Sequence, residues 1–157
     1  MRTARAQAGE PDERPGAFLL LPAELASLPV IGTQFEAFTR RATGPRGESR
    51  QAHEMRLAVQ EAAANIIKHG RMGAAARRLA VQFEFEDSVL QVSLTDQGEP
   101  FDPLAVVAAL PEGEEPAEGG YGIFLIRALC DEVAYESRAG ANTLVLRKLL
   151  PAPEETP

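Results

Sequence analysis

The 157 residues include a single cysteine, Cys130, and two histidines, His53 and His69. No internal disulfide can form, and the absence of any CxxC pattern removes structural zinc; a lone thiol points to a reducing compartment. No apolar run approaches the roughly 18–20 residues that would cross a bilayer, so no membrane partner is expected. The opening, MRTARAQAGEPDERPG, turns acidic and Pro/Gly-rich before any apolar stretch, so no secretory signal is expected and the cytoplasm is the expected location. Basic residues are also scarce, with 16 Lys+Arg against 23 Asp+Glu and a formal net charge of −7. Duplex binding draws its affinity from neutralising phosphates with a basic surface, so nucleic acid is not expected as a direct partner. Any phosphate must be held locally, by backbone N–H groups, helix ends or a metal.

A content of 45% hydrophobic and 25% charged residues fits one compact domain. At this length folding removes roughly two-thirds of the chain's surface from water, enough for a core without staples. Residues 1–16 and the tail 151–157 combine proline and charge with little apolar content and are expected to be disordered, leaving 17–150 as the folded domain.

Phe18 to Leu21 is a short apolar run closed by Pro22, which reads as an edge strand. From Glu24 to Arg41 the apolar residues Leu25, Leu28, Ile31, Phe35 and Phe38 recur at three or four, predicting an amphipathic helix broken by GPRGES at 44–49. A second helix is expected from Ser49, as N-cap, to His69, with Gly70 as C-cap. Met55, Val59, Ala62, Ala63 and Ile66 gather on one side of it, and Glu54, Glu61, Asn65 and Lys68 on the other. Alternation through Leu79, Val81, Phe83 and Phe85, then Leu90, Val92 and Leu94 after Asp87-Ser88, predicts an antiparallel hairpin with one buried face. Residues 97–120 are rich in glycine and proline with an acidic patch at Glu112, Glu114 and Glu115; so long an irregular segment reads as a lid. A third helix over Tyr121–Cys130 and two strands, Glu132–Ser137 and Asn142–Leu149, complete the chain. The order of elements predicts an α+β fold, helices layered on one face of a mostly antiparallel sheet.

Three places carry polar groups suited to chemistry. Asp96 continues the phase of Leu90, Val92 and Leu94, so its carboxylate is aimed at the core side at a strand end. Buried there it needs a donor. It either caps the turn before Gly98 or accepts from a ligand amine, such as the exocyclic NH2 of adenine, with Gly98 admitting the base close to the backbone. Glu61 and Asn65, four apart, share a helical face. They either face water or serve magnesium chemistry, the Asn as a neutral oxygen ligand and the Glu as a proton acceptor. Gly119-Gly120-Tyr121-Gly122 opens the apolar helix and is either a hinge or an anion site built from N–H groups at the positive end of the helix dipole. Neither the Rossmann nor the P-loop pattern is present. His53 and His69 read as helix-end residues without a metal, and Cys130 as a buried small hydrophobe.

EMRLAVQEAAANIIKHG (54–70), DQGEPFDP (96–103), EGGYGIFLIRALCDEVAY (118–135) and GANTLVLRK (140–148) together resemble the four nucleotide-binding boxes of the GHKL ATPase superfamily. Within it they are most similar to the RsbW-like anti-sigma factors, which are serine-protein kinases, over about Phe18 to Lys148. The resemblance implies a Bergerat-type two-layer α/β sandwich holding Mg2+ and ATP between the second helix and the lid. It matches Glu61 to the general base, Asn65 to the magnesium ligand and Asp96 to the adenine acceptor. Gly98 matches the glycine beneath the base, Gly120 and Gly122 the backbone donors to the phosphates, and Thr143 the residue that completes the adenine site through water. Pro100 stands where many members have a second glycine. The partners implied are a sigma factor, which is sequestered, and a STAS-domain anti-anti-sigma protein, phosphorylated on serine; a homodimer is implied by the resemblance alone. The alternative is a non-catalytic module in which ATP only switches a protein-binding surface.

Overall fold

The computed structural model describes residues 15–69, 77–100, 102, 104 and 121–154. Five strands form one antiparallel sheet in the order β1-β2-β3-β5-β4: β1 is Gly16–Pro22, β2 Arg78–Glu86, β3 Val89–Asp96, β4 Glu132–Arg138 and β5 Ala141–Leu149. The α-helices that lie wholly within the described residues are α1 (Leu28–Thr43), α2 (Arg50–His69) and α3 (Tyr121–Leu129). They pack on one face of the sheet, giving the two-layer α+β sandwich expected.

Period-two alternation sets the sheet faces. Leu79, Val81 and Phe83 of β2, Leu90, Val92 and Leu94 of β3, and Leu144 and Leu146 of β5 are all buried on the helical side. They meet Ile31, Phe35 and Phe38 of α1, Met55, Ala58, Val59, Ala62 and Ala63 of α2, and Ile126 of α3. Phe83 anchors the contact with α1, edge-on to Phe35 at 5.8 Å and stacked on Phe38 at 5.6 Å. The alanines of α2 carry little bulk, which lets that helix lie close to the strands.

Both hairpin turns have two central residues at positive φ, as type I′ turns require: Asp87 (50°) and Ser88 (66°), then Ala139 (51°) and Gly140 (79°). The outer face of the sheet carries a polar ladder. Glu84 accepts from Gln91 at 2.9 Å, Gln91 from Arg147 at 2.7 Å, and Arg147 also donates to Glu132 at 2.6 Å, spanning β2, β3, β5 and β4. On the inner face the buried Lys148 donates to Glu54 of α2 at 3.0 Å and to the Leu129 carbonyl at the end of α3, tying both helices to β5.

Several expectations shift by a turn or less. The stretch after Pro22 opens as a 3-10 turn at Leu25–Ser27, and α1 proper starts at Leu28 with Pro29 in its first turn, where a missing N–H costs nothing. Ser49 caps α2, accepting the Ala52 N–H at 3.2 Å. The ordered strand begins at Gly16, paired with Glu84, one residue before the expected domain start. Gly70, most of the expected lid, and residues 1–14 and 155–157 of the ends expected to be disordered (1–16 and 151–157) lie outside the described residues. Among the described residues no helix is long and apolar enough to cross a membrane.

Candidate functional site

Asp96 ends β3 on the helical face of the sheet and is 5% exposed. Its carboxylate is held from three sides. Oδ1 accepts the Asn142 amide at 3.3 Å; Oδ2 accepts the Gly98 N–H at 3.3 Å and lies 3.5 Å from Nη2 of Arg77. Asn142 is opposite Asp96 on β5, and its amide also donates to the Gly98 carbonyl at 2.8 Å while its oxygen accepts from Ser137 at 2.7 Å. The Gly98 bond caps the turn, one of the two alternatives in the sequence, and leaves Oδ1 with acceptor capacity to spare, so it does not exclude the other.

Above Asp96 a cleft opens between α2, α3, β3 and β5. Ala62, Ile66, Leu94, Ile126 and Leu144 form apolar walls; Asp96, Asn142 and Asn65 supply polar groups, and His69, Glu99 and Tyr135 complete the lining. An apolar slot with a few fixed polar groups suits a flat heteroaromatic ring.

The polar side of α2 does not simply face water. Glu61 and Asn65 are half-buried because α3 starts against them. A Cβ added to Gly122, the second residue of α3, would meet Glu61 Oε2 at 2.9 Å, Asn65 Nδ2 at 3.3 Å and Asn65 Oδ1 at 3.5 Å. Only glycine leaves that approach free, so the structure brings Glu61, Asn65 and Gly122 together at the start of α3, with Asn65 shared by the cleft. N–H groups in this first turn have no partner within the helix and sit at its positive end.

The residues present fit a magnesium nucleotide. Asn65 Nδ2 is buried without a hydrogen-bond partner, a group awaiting something the chain itself does not supply. Rotation about the last side-chain bond exchanges it for the oxygen, a hard neutral ligand of the kind Mg2+ takes. Among the described residues no three His, Cys, Asp or Glu side chains gather to hold a metal, so such an ion would complete its shell with phosphate and water oxygens.

One matched residue is placed elsewhere. Thr143 bonds Thr95 across the ladder at 3.1 Å, on the face of the sheet away from the helices. The reason is the pleat: Asn142 and Leu144 point into the cleft, so the residue between them points out. Asn142, in phase with Leu144 and Leu146, takes the position beside Asp96, and the alternation that aims Asp96 inward on β3 aims Asn142 inward on β5. Arg77 carried no periodic signal, since it precedes β2 and its contacts are made by residues far along the chain. Gly120 lies outside the described residues. Cys130 is buried beside Met55, and burial pushes its thiol up to about 11. It is a packing residue with no part in the cleft.

An antiparallel sheet covered on one face, with a carboxylate at the base of an apolar cleft and a glycine-opened helix at its mouth, defines a GHKL-type sandwich. The chain belongs to the histidine kinase-like ATPase domain family, whose model matches residues 21–148. It is 31% identical over 101 residues to the serine-protein kinase RsbW of Staphylococcus epidermidis, covering 60% of this chain and 64% of that protein. The RsbW of Halalkalibacterium halodurans is 32% identical over 108 residues, 62% of each chain. The chain thus matches less than two-thirds of the length of these relatives. Among solved structures, the RsbU and RsbW domains of a Mycobacterium tuberculosis protein share the fold, with a TM-score of 0.65 at 17% identity over 88% of this chain and 33% of that one.

Proposed function

We propose that this chain is a cytoplasmic anti-sigma factor that binds Mg-ATP in the cleft, phosphorylates a serine of a STAS-domain anti-anti-sigma protein and sequesters a sigma factor. The observation that carries the catalytic part is the meeting of Glu61 and Asn65 with Gly122 at the start of α3, beside a cleft based on Asp96. The similarity to RsbW serine-protein kinases supports the choice of serine and of protein partners.

Asp96 accepts the exocyclic amine of the purine, and the apolar walls exclude water around the ring. Bound Mg-ATP supplies the phosphoryl group and most of the charge neutralisation that its transfer requires. Asn65 would offer an oxygen to the metal and the Gly122 N–H would hold phosphate oxygens at the helix start, a role the resemblance gives to Gly120 as well. Glu61 would take the proton of the partner's serine hydroxyl as that oxygen bonds the γ-phosphorus of ATP and the bond from that phosphorus to the β,γ-bridging oxygen breaks, ADP leaving. Positioning contributes much of the rate, and glycine at 122 leaves Glu61 the clearance that a Cβ there would take.

The test is transfer of label from γ-labelled ATP to whatever the protein captures from native cytosol, followed by mapping of the modified residue. Labelled serine on a captured partner, lost with Glu61→Gln while ATP affinity holds within about threefold, is the expected outcome. Capture strengthened by Mg-ATP with no label on any partner would replace the kinase reading with the non-catalytic switch.

A further inference from the structure

Arg77 is buried between the end of α2 and the purine side of the cleft. Its side chain is 7% exposed, as is that of Asp96. Its guanidinium donates through Nη1 to the Ile67 carbonyl at 2.9 Å and through Nη2 to the Ile66 carbonyl. These are groups that the last turn of a helix leaves unpaired, at its negative end, where a cation is favoured. The same Nη2 lies 3.5 Å from Asp96 Oδ2, a long contact that adds charge without a well-formed bond. Arg77 is therefore fixed by the helix, and Asp96 is steadied by Arg77.

We infer that Arg77 is a positioning residue for adenine recognition, setting which oxygen of Asp96 reads the exocyclic amine. Gly98 N–H and Arg77 both approach Oδ2, whereas among the described residues Oδ1 accepts only from Asn142. A carboxylate offers about four acceptor sites in all, so the freer oxygen for an incoming N–H is Oδ1. Ile66 and Ile67 immediately follow Asn65 on α2. Arg77 thus joins the element that carries the metal-side residues to the base-reading carboxylate. A planar guanidinium can bridge two carbonyls and a carboxylate at once; a lysine ammonium on a flexible stem does so less well.

This inference rests on the proposed ATP site, and a pair of ligands separates the two. ATP and purine riboside triphosphate, which lacks the 6-amino group, are titrated with Mg2+ against the wild type and against Arg77→Met and Arg77→Lys. The wild type is expected to prefer ATP; no binding of either nucleotide, or equal binding of both, overturns the site reading itself. With that preference present, Arg77→Met is expected to weaken ATP about tenfold and to change the analogue less than about twofold, the loss of one oriented hydrogen bond to a charged group. Arg77→Lys is expected to fall between, and it decides the matter should the methionine variant fail to fold. Equal weakening of both nucleotides, as loss of the α2 cap alone would give, or an unchanged preference for ATP in the variants, overturns the inference.

Discussion

Gly122→Ala adds one methyl group where α3 meets α2. The new carbon would stand 2.9 Å from Glu61 Oε2, while the Asn65 amide atoms at 3.3 and 3.5 Å leave it little room to lean away. Optimal contact lies at about 3.5–4.0 Å, so the carboxylate must retreat by roughly half an ångström or more. Glu61 is the free end of a flexible side chain, and alanine is up to about 1 kcal/mol better than glycine inside a helix, less so in the first turn. Stability should therefore stay within about 1 kcal/mol of the parent, the clash and the propensity gain offsetting each other. Activity should not. Misplacement of a catalytic group by around 1 Å costs on the order of a hundredfold, so a shift of half that should lower phosphotransfer about tenfold or more. The assays are a urea unfolding curve, nucleotide titration and the rate of label transfer to the captured partner, each on the same preparation. Full transfer activity in a stably folded Gly122→Ala protein would refute the need for glycine's clearance beside Glu61.

Asp96→Asn should abolish adenine preference and, by leaving the buried Arg77 without its anion, lower stability by about 1–3 kcal/mol in urea unfolding. Cys130, with its thiol pushed up to about 11 by burial, should resist alkylation at pH 8 in the native protein and react only on unfolding. Because its proton is held more tightly in the folded state, its contribution to stability is complete below the ordinary thiol range and declines as pH rises from about 9 towards 11. A pH series of unfolding midpoints for the parent and for Cys130→Ala checks this: the difference between them should change only in that alkaline window. Ala139→Gly relieves an L-residue at φ 51° in the last hairpin and should stabilise by about 1 kcal/mol in thermal or urea unfolding, with nucleotide affinity unchanged.

Most of the architecture was legible because it rests on short-range periodicities. The alternation that predicts β2 and β3 also aims Asp96 inward, and Ser49 announces the start of α2. What could not be read was how strands distant in sequence pair. Asn142 and Thr143 are neighbours, and a motif match favours the threonine; only the register of β5 against β3 decides that the asparagine reaches the cleft. Glu61 and Asn65 looked like a wetted helix face until the start of α3 was placed against them, a contact between residues some sixty positions apart. Arg77 is the clearest case: nothing local distinguishes it from Arg78, yet one is buried against a carboxylate and the other exposed.

The position of β5 also bears on how the protein comes off the ribosome. Of these five strands β5 is made after the others and lies between β3 and β4, so intermediates that precede it present the unpaired border of β3, with Leu90, Val92 and Leu94 along it. A chain truncated before Ala141 would be released with that border open and the Asp96 carboxylate lacking Asn142. Such a product is a candidate for aggregation and for quality control rather than a partly active fragment.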